Sequence, residues 1–146
     1  MSFALPPIVR LAERLLVEIE QAVRRFPSRY HRYAVGAVLR AQAMNVAKLA
    51  HRAWRDRQNQ AALVSKLVWE VDELKLSMQL GSRVRAFESF AQFEALIRLA
   101  ADLGKQTGGW HKQQHPKNQN AGAGNGSQQR VQILSARAAS TCEANP

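Results

Sequence analysis

The stretch "EIEQAVRRFPSRYHRYAVGAVLRAQA" (residues 18–43) is the most informative part of the chain for the fold, because one helix ends in it and another begins. Pro27 predicts the end of the first helix, since the residue before a proline is pushed out of the α region. Ser28 follows directly and is a preferred N-cap for a second helix. Apolar residues spaced by three or four on both sides of this break predict two amphipathic helices.

The first helix begins at "LPPIVRLAERLL" (residues 5–16), where prolines in the first turn cost little. Its predicted apolar face contains Ile8, Leu11, Leu15, Ile19, Ala22, Val23 and Phe26. The second helix is predicted to run from Ser28 to about Asp56. Its apolar positions are smaller, and they include Ala34, Val38, Ala41, Ala47 and Leu49.

Two further helices are predicted after the polar segment "DRQNQ" (residues 56–60). The third places Leu63, Leu67, Val71, Leu74 and Met78 in register, and Gly81 is predicted to be its C-cap. The fourth carries Phe90, Phe93, Leu96, Ile97, Ala100, Leu103, Thr107 and Trp110. With no sustained period-two alternation, the prediction is all-α: an antiparallel up-down-up-down four-helix bundle over residues 4–114, its helices about 20–27 residues long.

The composition changes sharply near His115. The segment "PKNQNAGAGNGSQQR" (residues 116–130) is rich in Gly, Asn and Gln and almost free of large apolar groups. Such a segment cannot bury enough surface to offset its ordering entropy. Residues 115–146 are therefore predicted to be a disordered C-terminal tail.

Charge and cysteine content narrow the class of protein. Formal net charge is +10, with 21 Lys and Arg against 11 Asp and Glu, which favours nucleic acid or an anionic membrane surface as partner. Plain solubility is the alternative explanation. The single cysteine, Cys142, allows no disulfide within the chain and suits a reducing compartment. Because no secretory signal or membrane-spanning run is present, a cytoplasmic protein without a membrane partner is expected.

No arrangement typical of catalysis is recognisable. The di-iron Glu-x-x-His pairs of helical bundles are absent, and no Gly-rich phosphate loop follows a strand. The acidic cluster around Glu70 and Asp72 is expected to pair with Lys66 and Lys75 on its own helix. The sequence therefore predicts a protein that is not an enzyme, with no catalytic residue, no cofactor and no metal site.

Basic residues form the candidate binding sites. Arg25, Arg29 and Arg32 surround the first helix break; Lys48, Arg52 and Arg55 step by four and three along one face; Arg83 and Arg85 lie in the last connection. Guanidinium groups suit phosphate, because they donate bidentately and stay charged. Contact with nucleic acid or a polymerase is the prediction for all eight. The alternative is a solvated face with ion pairs between subunits. The interleaved aromatic residues are expected to pack rather than stack on bases.

Three segments occur in order along the chain: the "RFP" break (residues 25–27), "ELKLSMQLG" (residues 73–81) and "LGKQTGGW" (residues 103–110). Together they resemble the accessory variability determinant (Avd) proteins of diversity-generating retroelements and the related bacterial proteins encoded in ribosomal RNA intervening sequences. The resemblance covers about residues 8–113. The Gly-rich tail is not part of the family pattern.

The resemblance implies a function as well as a fold. It implies a homopentameric barrel of four-helix bundles with a positively charged surface. Such a protein binds the reverse transcriptase of the same element and template RNA, with DNA as a second candidate nucleic acid, and supports mutagenic cDNA synthesis without catalytic residues of its own. The alternatives are a helical scaffold of the intervening-sequence type with no polymerase partner, or a small bundle enzyme.

Adjacent glycines in "DLGKQTGGWHKQ" (residues 102–113) need a reason, because each costs about 1 kcal/mol in a helix interior. The fourth helix is predicted to continue through them to about Gln113. The resemblance suggests that Gly108 and Gly109 let another helix come close. Trp110 would then pack across that contact or across a subunit interface.

Overall fold

The computed structural model describes residues 5–115, in which five helices joined by short connections occur and no strand does. The helices are α1 (Pro7–Arg24), α2 (Arg29–Tyr33), α3 (Val35–Arg55), α4 (Gln60–Arg83) and α5 (Phe90–Gln114). The four long helices confirm the predicted all-α bundle. The predicted tail, apart from His115, lies outside the described residues.

Local sequence accounts for the first break. Pro7 occupies the first position of α1, where its missing N–H costs nothing. After Arg24 the chain turns, with the N–H of Phe26 donating to the carbonyl of Val23 (3.1 Å). The Ser28 hydroxyl accepts a hydrogen bond from the N–H of His31 (3.4 Å), which confirms the predicted N-cap. That cap begins only the short α2.

The helix predicted from Ser28 to Asp56 is present with one interruption, because the single residue Ala34 separates α2 from α3 while its backbone stays in the α region (φ −84°, ψ −73°). Tertiary contacts just after the turn give the reason. A Cβ on Gly36 would lie 2.5 Å from Cγ1 of Val23, so α1 and α3 touch here backbone to side chain. Val35 packs in the same way against Gly81 of α4. These two contacts fix the start and direction of α3, and the break at Ala34 accommodates them.

The prediction that Gly81 caps the third helix is wrong. Helix α4 continues to Arg83, and Gly81 is buried against Val35 and Phe87, where a Cβ would lie 3.1 and 3.3 Å from their side chains. The helix ends in a Schellman motif, in which Ala86 N–H donates to the Gly81 carbonyl and Arg85 N–H to the Ser82 carbonyl, both at 3.0 Å. Arg85 takes the left-handed position (φ 60°), which costs roughly 1–2 kcal/mol in a residue with a Cβ.

Each long helix packs against two others: α1 and α4 both lie against α3 and α5. The core between them is almost wholly aliphatic. Its largest fully buried side chains are Phe26, Leu15, Ile19, Leu39, Leu67, Leu74, Met78, Leu103, Val9, Val46, Val64 and Val71. Since burying one such side chain contributes about 1.5–3 kcal/mol, this core dominates the stability of the bundle.

Helix α5 runs through both glycines to Gln114, which confirms the predicted continuation. The predicted close approach is wrong within residues 5–115, because a Cβ on Gly108 or Gly109 would meet nothing within 4 Å. Trp110 is half-buried and packs on the edge of the core. One turn earlier, a Cβ on Gly104 would meet the flexible end of Lys75, 3.1 Å from its Nζ.

We therefore expect Gly108→Ala and Gly109→Ala each to raise the free energy of unfolding by about 0.5–1 kcal/mol, because alanine is the better helix former and its methyl group meets no neighbour. Urea unfolding followed by circular dichroism measures the change. Gly36→Ala is the matched control and should destabilise, since its methyl group would overlap Val23. Destabilisation by Gly109→Ala would show instead that this surface contacts another chain.

Candidate nucleic-acid interface

Lys48, Arg52 and Arg55 share one exposed face in the second half of α3. Their spacings of four and three keep them in line along a helix with 3.6 residues per turn. The face lies opposite the buried residues of α3, which are Gly36, Leu39, Ala43, Val46, Ala47, Ala50 and Ala53. We call Lys48, Arg52 and Arg55 the cationic stripe.

The charge of the cationic stripe is not neutralised within residues 5–115. No carboxylate oxygen of this range lies within 4.0 Å of the charged nitrogens of its three side chains. Other basic residues are paired: the Arg40 Nε lies 4.0 Å from an oxygen of Glu20, and Arg98 Nη2 lies 2.6 Å from one of Glu94. The stripe therefore presents uncompensated positive charge, unlike these cations elsewhere on the bundle.

Grooves flank the cationic stripe on both sides. Toward α1 lies a cavity of 480 Å³, lined by Glu13, Leu16, Met44, Ala47, Lys48, His51 and Arg52. Toward α4 lies one of 360 Å³, lined by Asn45, Lys48, Leu49, Arg52 and Glu70. A third, of 550 Å³, lies where α3 passes into α4, lined by His51, Arg52, Arg55, Asp56, Asn59, Ala62, Leu63 and Lys66. Arg52 lines all three cavities, so its guanidinium lies next to open surface on both sides of α3.

A hydrogen bond between α1 and α3 lies beside the stripe. His51 Nε2 and Glu13 Oε1 are 2.6 Å apart, and both side chains are partly exposed. This bond joins the two helices and directs the carboxylate toward the imidazole. Glu13 thereby lines the groove while its oxygen is held by His51.

A second carboxylate, Asp56, lies at the end of α3. It accepts hydrogen bonds within the turn that follows. Asn59 donates to it from its side-chain amide (2.9 Å) and from its backbone N–H (3.2 Å). The side-chain hydrogen bond, with help from the backbone bond, lowers the pKa of Asp56. The contribution of this turn to stability is therefore present above the ordinary carboxyl pKa and is lost as the pH falls through the lowered value.

Lys66 is a groove residue that the sequence did not assign to the site. It was predicted to pair with Glu70, but in the described range the two make no ion pair within 4.0 Å. Instead Lys66 lines the cavity between α3 and α4 together with Arg52 and Arg55. No spacing in the sequence signals this, because the meeting of Lys66 with the stripe depends on how α4 packs. The companion prediction, Asp72 with Lys75, is confirmed at 3.2 Å.

The remaining cations lie around an aromatic contact between two connections. The ring of Phe26, before α2, meets the ring of Phe87, before α5, edge to face at 5.2 Å between centroids. Arg25, Arg29 and Arg32 adjoin the first connection, and Arg83 and Arg85 the second. Two groups that are far apart in sequence are thus brought to the same part of the fold.

These cations differ in their exposure to solvent and in the contacts that their side chains make. Arg32 is half-buried and donates from Nη1 to the carbonyl of Phe26 (2.8 Å), so it holds the connection in place. The guanidinium of Arg29 lies 5.8 Å from the ring centre of Tyr33, within range of a cation–π contact. Arg25, Arg83 and Arg85 are exposed.

The aromatic residues beside them fall into two kinds. The expectation of packing is right for Phe26, which is 1% exposed, and wrong for Tyr30 and Tyr33, which are 73% and 68% exposed. Both tyrosines remain open to solvent in the described part of the chain.

The predicted residues do not form a single site. Lys48 is thirteen residues along α3 from Val35, about 20 Å at 1.5 Å per residue. The cationic stripe is therefore separate from the arginines around Phe26 and Phe87. Gly108, Gly109 and Trp110 lie toward the end of α5, where Gln114 Nε2 donates to Gln60 Oε1 at the start of α4 (2.9 Å). Gln60 donates in turn to the Ala53 carbonyl of α3 (2.8 Å), so this end of α5 lies at the same end of the bundle as Arg52 and Arg55.

No family model matches the chain, and no curated protein matches it by sequence. None of the helices within residues 5–115 carries a long enough apolar run to cross a bilayer. In the same residues no three His, Cys, Asp or Glu side chains converge as a metal-binding group.

Proposed function

We propose that this chain is a non-catalytic accessory subunit of a diversity-generating retroelement, acting in the cytoplasm. It binds template RNA and the reverse transcriptase of the element, and it thereby supports mutagenic cDNA synthesis. The observation that carries the nucleic-acid part is the cationic stripe Lys48–Arg52–Arg55, exposed, unpaired and flanked by open grooves. The reverse transcriptase as partner rests on the family resemblance.

The stripe suits a phosphate backbone better than it suits base edges. Arginine donates bidentately to phosphate oxygens and keeps its charge at any physiological pH. Contacts of this kind hold a strand without reading its sequence. Binding to RNA is therefore proposed to be largely independent of sequence at this face, with Lys66 adding a further cation in the groove toward α4.

The proposal includes an antiparallel up-down-up-down topology and a homopentamer. Two hydrogen bonds support the topology: Gln92 near the start of α5 donates to the Ala22 carbonyl near the end of α1 (3.3 Å), and Gln114 at the end of α5 donates to Gln60 at the start of α4. Five copies at +10 each would carry a formal charge of +50. Several weak stripes on one assembly raise the effective concentration of phosphate contacts.

The test is a titration of labelled single-stranded RNA with the full chain at several salt concentrations, read by fluorescence anisotropy. Each phosphate contact contributes a slope of roughly −0.7 to log affinity against log salt, so three contacts predict about −2 for one copy. Binding that is absent, or that does not respond to salt, would contradict the proposal. Retention of the reverse transcriptase on the immobilised chain tests the second partner, and its failure would favour the scaffold alternative.

A further inference from the structure

Two tyrosines of the short helix α2 have most of their side chains in solvent. Tyr30 is 73% exposed and Tyr33 is 68% exposed, and α2 buries none of its own residues. The two tyrosines are three residues apart, so their side chains are neighbours on one face of the helix. Large aromatic rings of this kind are ordinarily buried, at least in part, when they serve packing alone. We call Tyr30 and Tyr33 the tyrosine pair.

Local contacts hold the two rings in place. The Tyr30 ring meets the His31 ring edge to face, with 5.4 Å between centroids, and the guanidinium of Arg29 lies 5.8 Å from the centre of the Tyr33 ring. Helix α2 is itself attached to the connection before it, because Arg32 donates to a backbone carbonyl there (2.8 Å). The rings are thus partly ordered before a partner arrives, which lowers the entropy cost of binding.

Arginines surround the tyrosine pair. Residues 24–33 contain four arginines and no acidic residue. The contact between Phe26 and Phe87 brings residues 82–89 next to them, and this segment adds two arginines and one acidic residue, Glu88. No carboxylate oxygen of residues 5–115 lies within 4.0 Å of the charged nitrogens of these arginines. The six are Arg24, Arg25, Arg29, Arg32, Arg83 and Arg85.

The carboxylates next along α1 and α5 do not offset this charge. Glu20 lies 4.0 Å from Arg40, and Glu94 lies 2.6 Å from Arg98, so each is already beside a cation. The two segments around the tyrosine pair therefore have six arginines against one carboxylate. A second copy of this chain, at +10, is a poor partner for such a surface. A polyanion fits it.

Exposed aromatic rings among arginines suit single-stranded nucleic acid in particular. Each nucleotide presents one flat base and one phosphate, and bases stack on aromatic side chains whatever their identity. The guanidinium groups can contact the phosphates on either side of a stacked base. Inside a duplex the bases are stacked on one another and are not free to do this. The surface thus favours an unpaired strand over a paired one.

We infer that the tyrosine pair stacks on two unpaired bases of single-stranded RNA, while the arginines around it contact the adjoining phosphates. The inference rests on the RNA binding of the proposed function and adds a second site to it. The cationic stripe begins about 20 Å away along α3 and contacts only phosphates, so it accepts any strand. The tyrosine pair selects unpaired segments, which are the form of a template that a polymerase can copy.

The test measures binding of two labelled strands of equal length by fluorescence anisotropy. One is single-stranded RNA, and the other is an abasic strand, which keeps the phosphates and lacks the bases. The unsubstituted full chain should bind the RNA more tightly than the abasic strand. Tyr30→Ala with Tyr33→Ala should weaken binding of the RNA at least about fivefold and leave the abasic strand unaffected, since a stacked base contributes about that much or more to affinity.

Two further variants are matched controls. Tyr30→Phe with Tyr33→Phe keeps both rings and should retain the affinity for RNA. Trp69→Ala removes an aromatic side chain that is 65% exposed in the middle of α4, and it should also bind RNA normally. Circular dichroism should be unchanged in every variant, because all three positions are exposed.

A second measurement needs no substitution. The emission of 2-aminopurine, a fluorescent base, falls when the base stacks. A single 2-aminopurine in a strand of uridines should therefore lose emission when the unsubstituted chain binds, and the same strand paired in a duplex should show no such loss. Unchanged emission at saturating protein would count against stacking.

The outcomes separate this inference from the proposed function. Equal losses on the RNA and the abasic strand, or no loss on either, would overturn the stacking inference and leave RNA binding by the cationic stripe intact. An unsubstituted chain that binds neither strand would overturn both. If the alanine variant bound RNA normally but lost retention of the reverse transcriptase, or changed in mass by light scattering, the tyrosine pair would belong to a protein contact and the inference would fall.

Discussion

Reversing the charge of the stripe, with Lys48→Glu, Arg52→Glu and Arg55→Glu together, is expected to weaken binding of single-stranded RNA about a hundredfold. The estimate takes about 1 kcal/mol for each lost phosphate contact and about 1.4 kcal/mol for each factor of ten. The slope of log affinity against log salt should become less negative by about 2, since each contact contributes roughly −0.7. Fluorescence anisotropy at several salt concentrations measures both quantities.

Helix α5 offers a matched control for this variant. Arg98, Lys105 and Lys112 are exposed and seven residues apart, so they also form a line of three cations. Their reversal lowers the formal net charge by the same amount, from +10 to +4. If binding follows the α3 face, the control should retain most of the affinity. An equal loss in both variants would show that total charge, and not the cationic stripe, governs binding.

Neither triple variant should unfold the bundle. The three stripe residues are exposed and make no ion pair with a carboxylate in the described range, and the control breaks one exposed pair, Arg98 with Glu94, of a kind worth about 0.3–0.5 kcal/mol. Surface substitutions of this kind usually change stability by less than about 0.5 kcal/mol each. Far-ultraviolet circular dichroism and the urea midpoint check this, so a loss of RNA binding can be separated from a loss of structure.

Phe26→Ala is expected to have the largest effect on stability, lowering the free energy of unfolding by about 3–5 kcal/mol. Phe26 is 1% exposed, and its ring joins the connection after α1 to Phe87 in the connection before α5. Phe87 in turn meets Phe93 of α5 at 5.5 Å between centroids. Removing the first ring leaves a cavity at the start of this chain of contacts. Urea unfolding measures the loss.

The consequence should extend to the arginines around the cavity. Trypsin cleaves after Arg25 and Arg85, and both connections should become better substrates once the rings no longer hold them together. Phe26→Leu keeps most of the buried volume and should cost less than about 1.5 kcal/mol. Phe90→Ala, at a 71% exposed position, is the control and should change little. A cost for Phe26→Ala no greater than that of Phe90→Ala would refute the role assigned to this contact.

Most of the helical architecture could be predicted because it depends on short-range chemistry. The break at Pro27, the cap at Ser28 and the apolar spacing of the four long helices are properties of neighbours in sequence. The shared face of Lys48, Arg52 and Arg55 follows from helical periodicity in the same way. The continuation of α5 through Gly108 and Gly109 was also correct, since no proline or other strong breaker follows before Gln114.

The errors share one cause, which is that glycines and helix ends were interpreted without their tertiary neighbours. Gly81 has the residue type of a C-cap, yet its role is to admit Val35 and Phe87, and Arg85 takes the left-handed position instead. The glycines at which a Cβ would crowd a neighbouring side chain are Gly36 and Gly81, whereas at Gly104 it would meet the flexible end of Lys75. Composition alone does not separate these from Gly108 and Gly109, which face open space.

The exposed apolar residues of α4 were missed for a related reason. Helix α4 has apolar residues on nearly every side, so a register chosen for the core leaves Trp69, Leu76 and Leu80 unassigned. The same holds for Lys66, whose place beside Arg52 depends on the packing of α4 against α3. In both cases the residues are visible in the sequence, but the sequence does not show which face of α4 is exposed to solvent.

The sequence by itself determined the helical class, the long helices and the alignment of the cationic stripe, because hydrogen bonds and side-chain spacing within a helix are local. Only the tertiary structure decided where the second helix divides, which glycines are close contacts and which cations stand together around Phe26 and Phe87. It alone showed that Trp69, Leu76 and Leu80 are exposed among residues 5–115. These features depend on distances between helices, and the core fixes those distances through the shapes of side chains that are far apart in the chain.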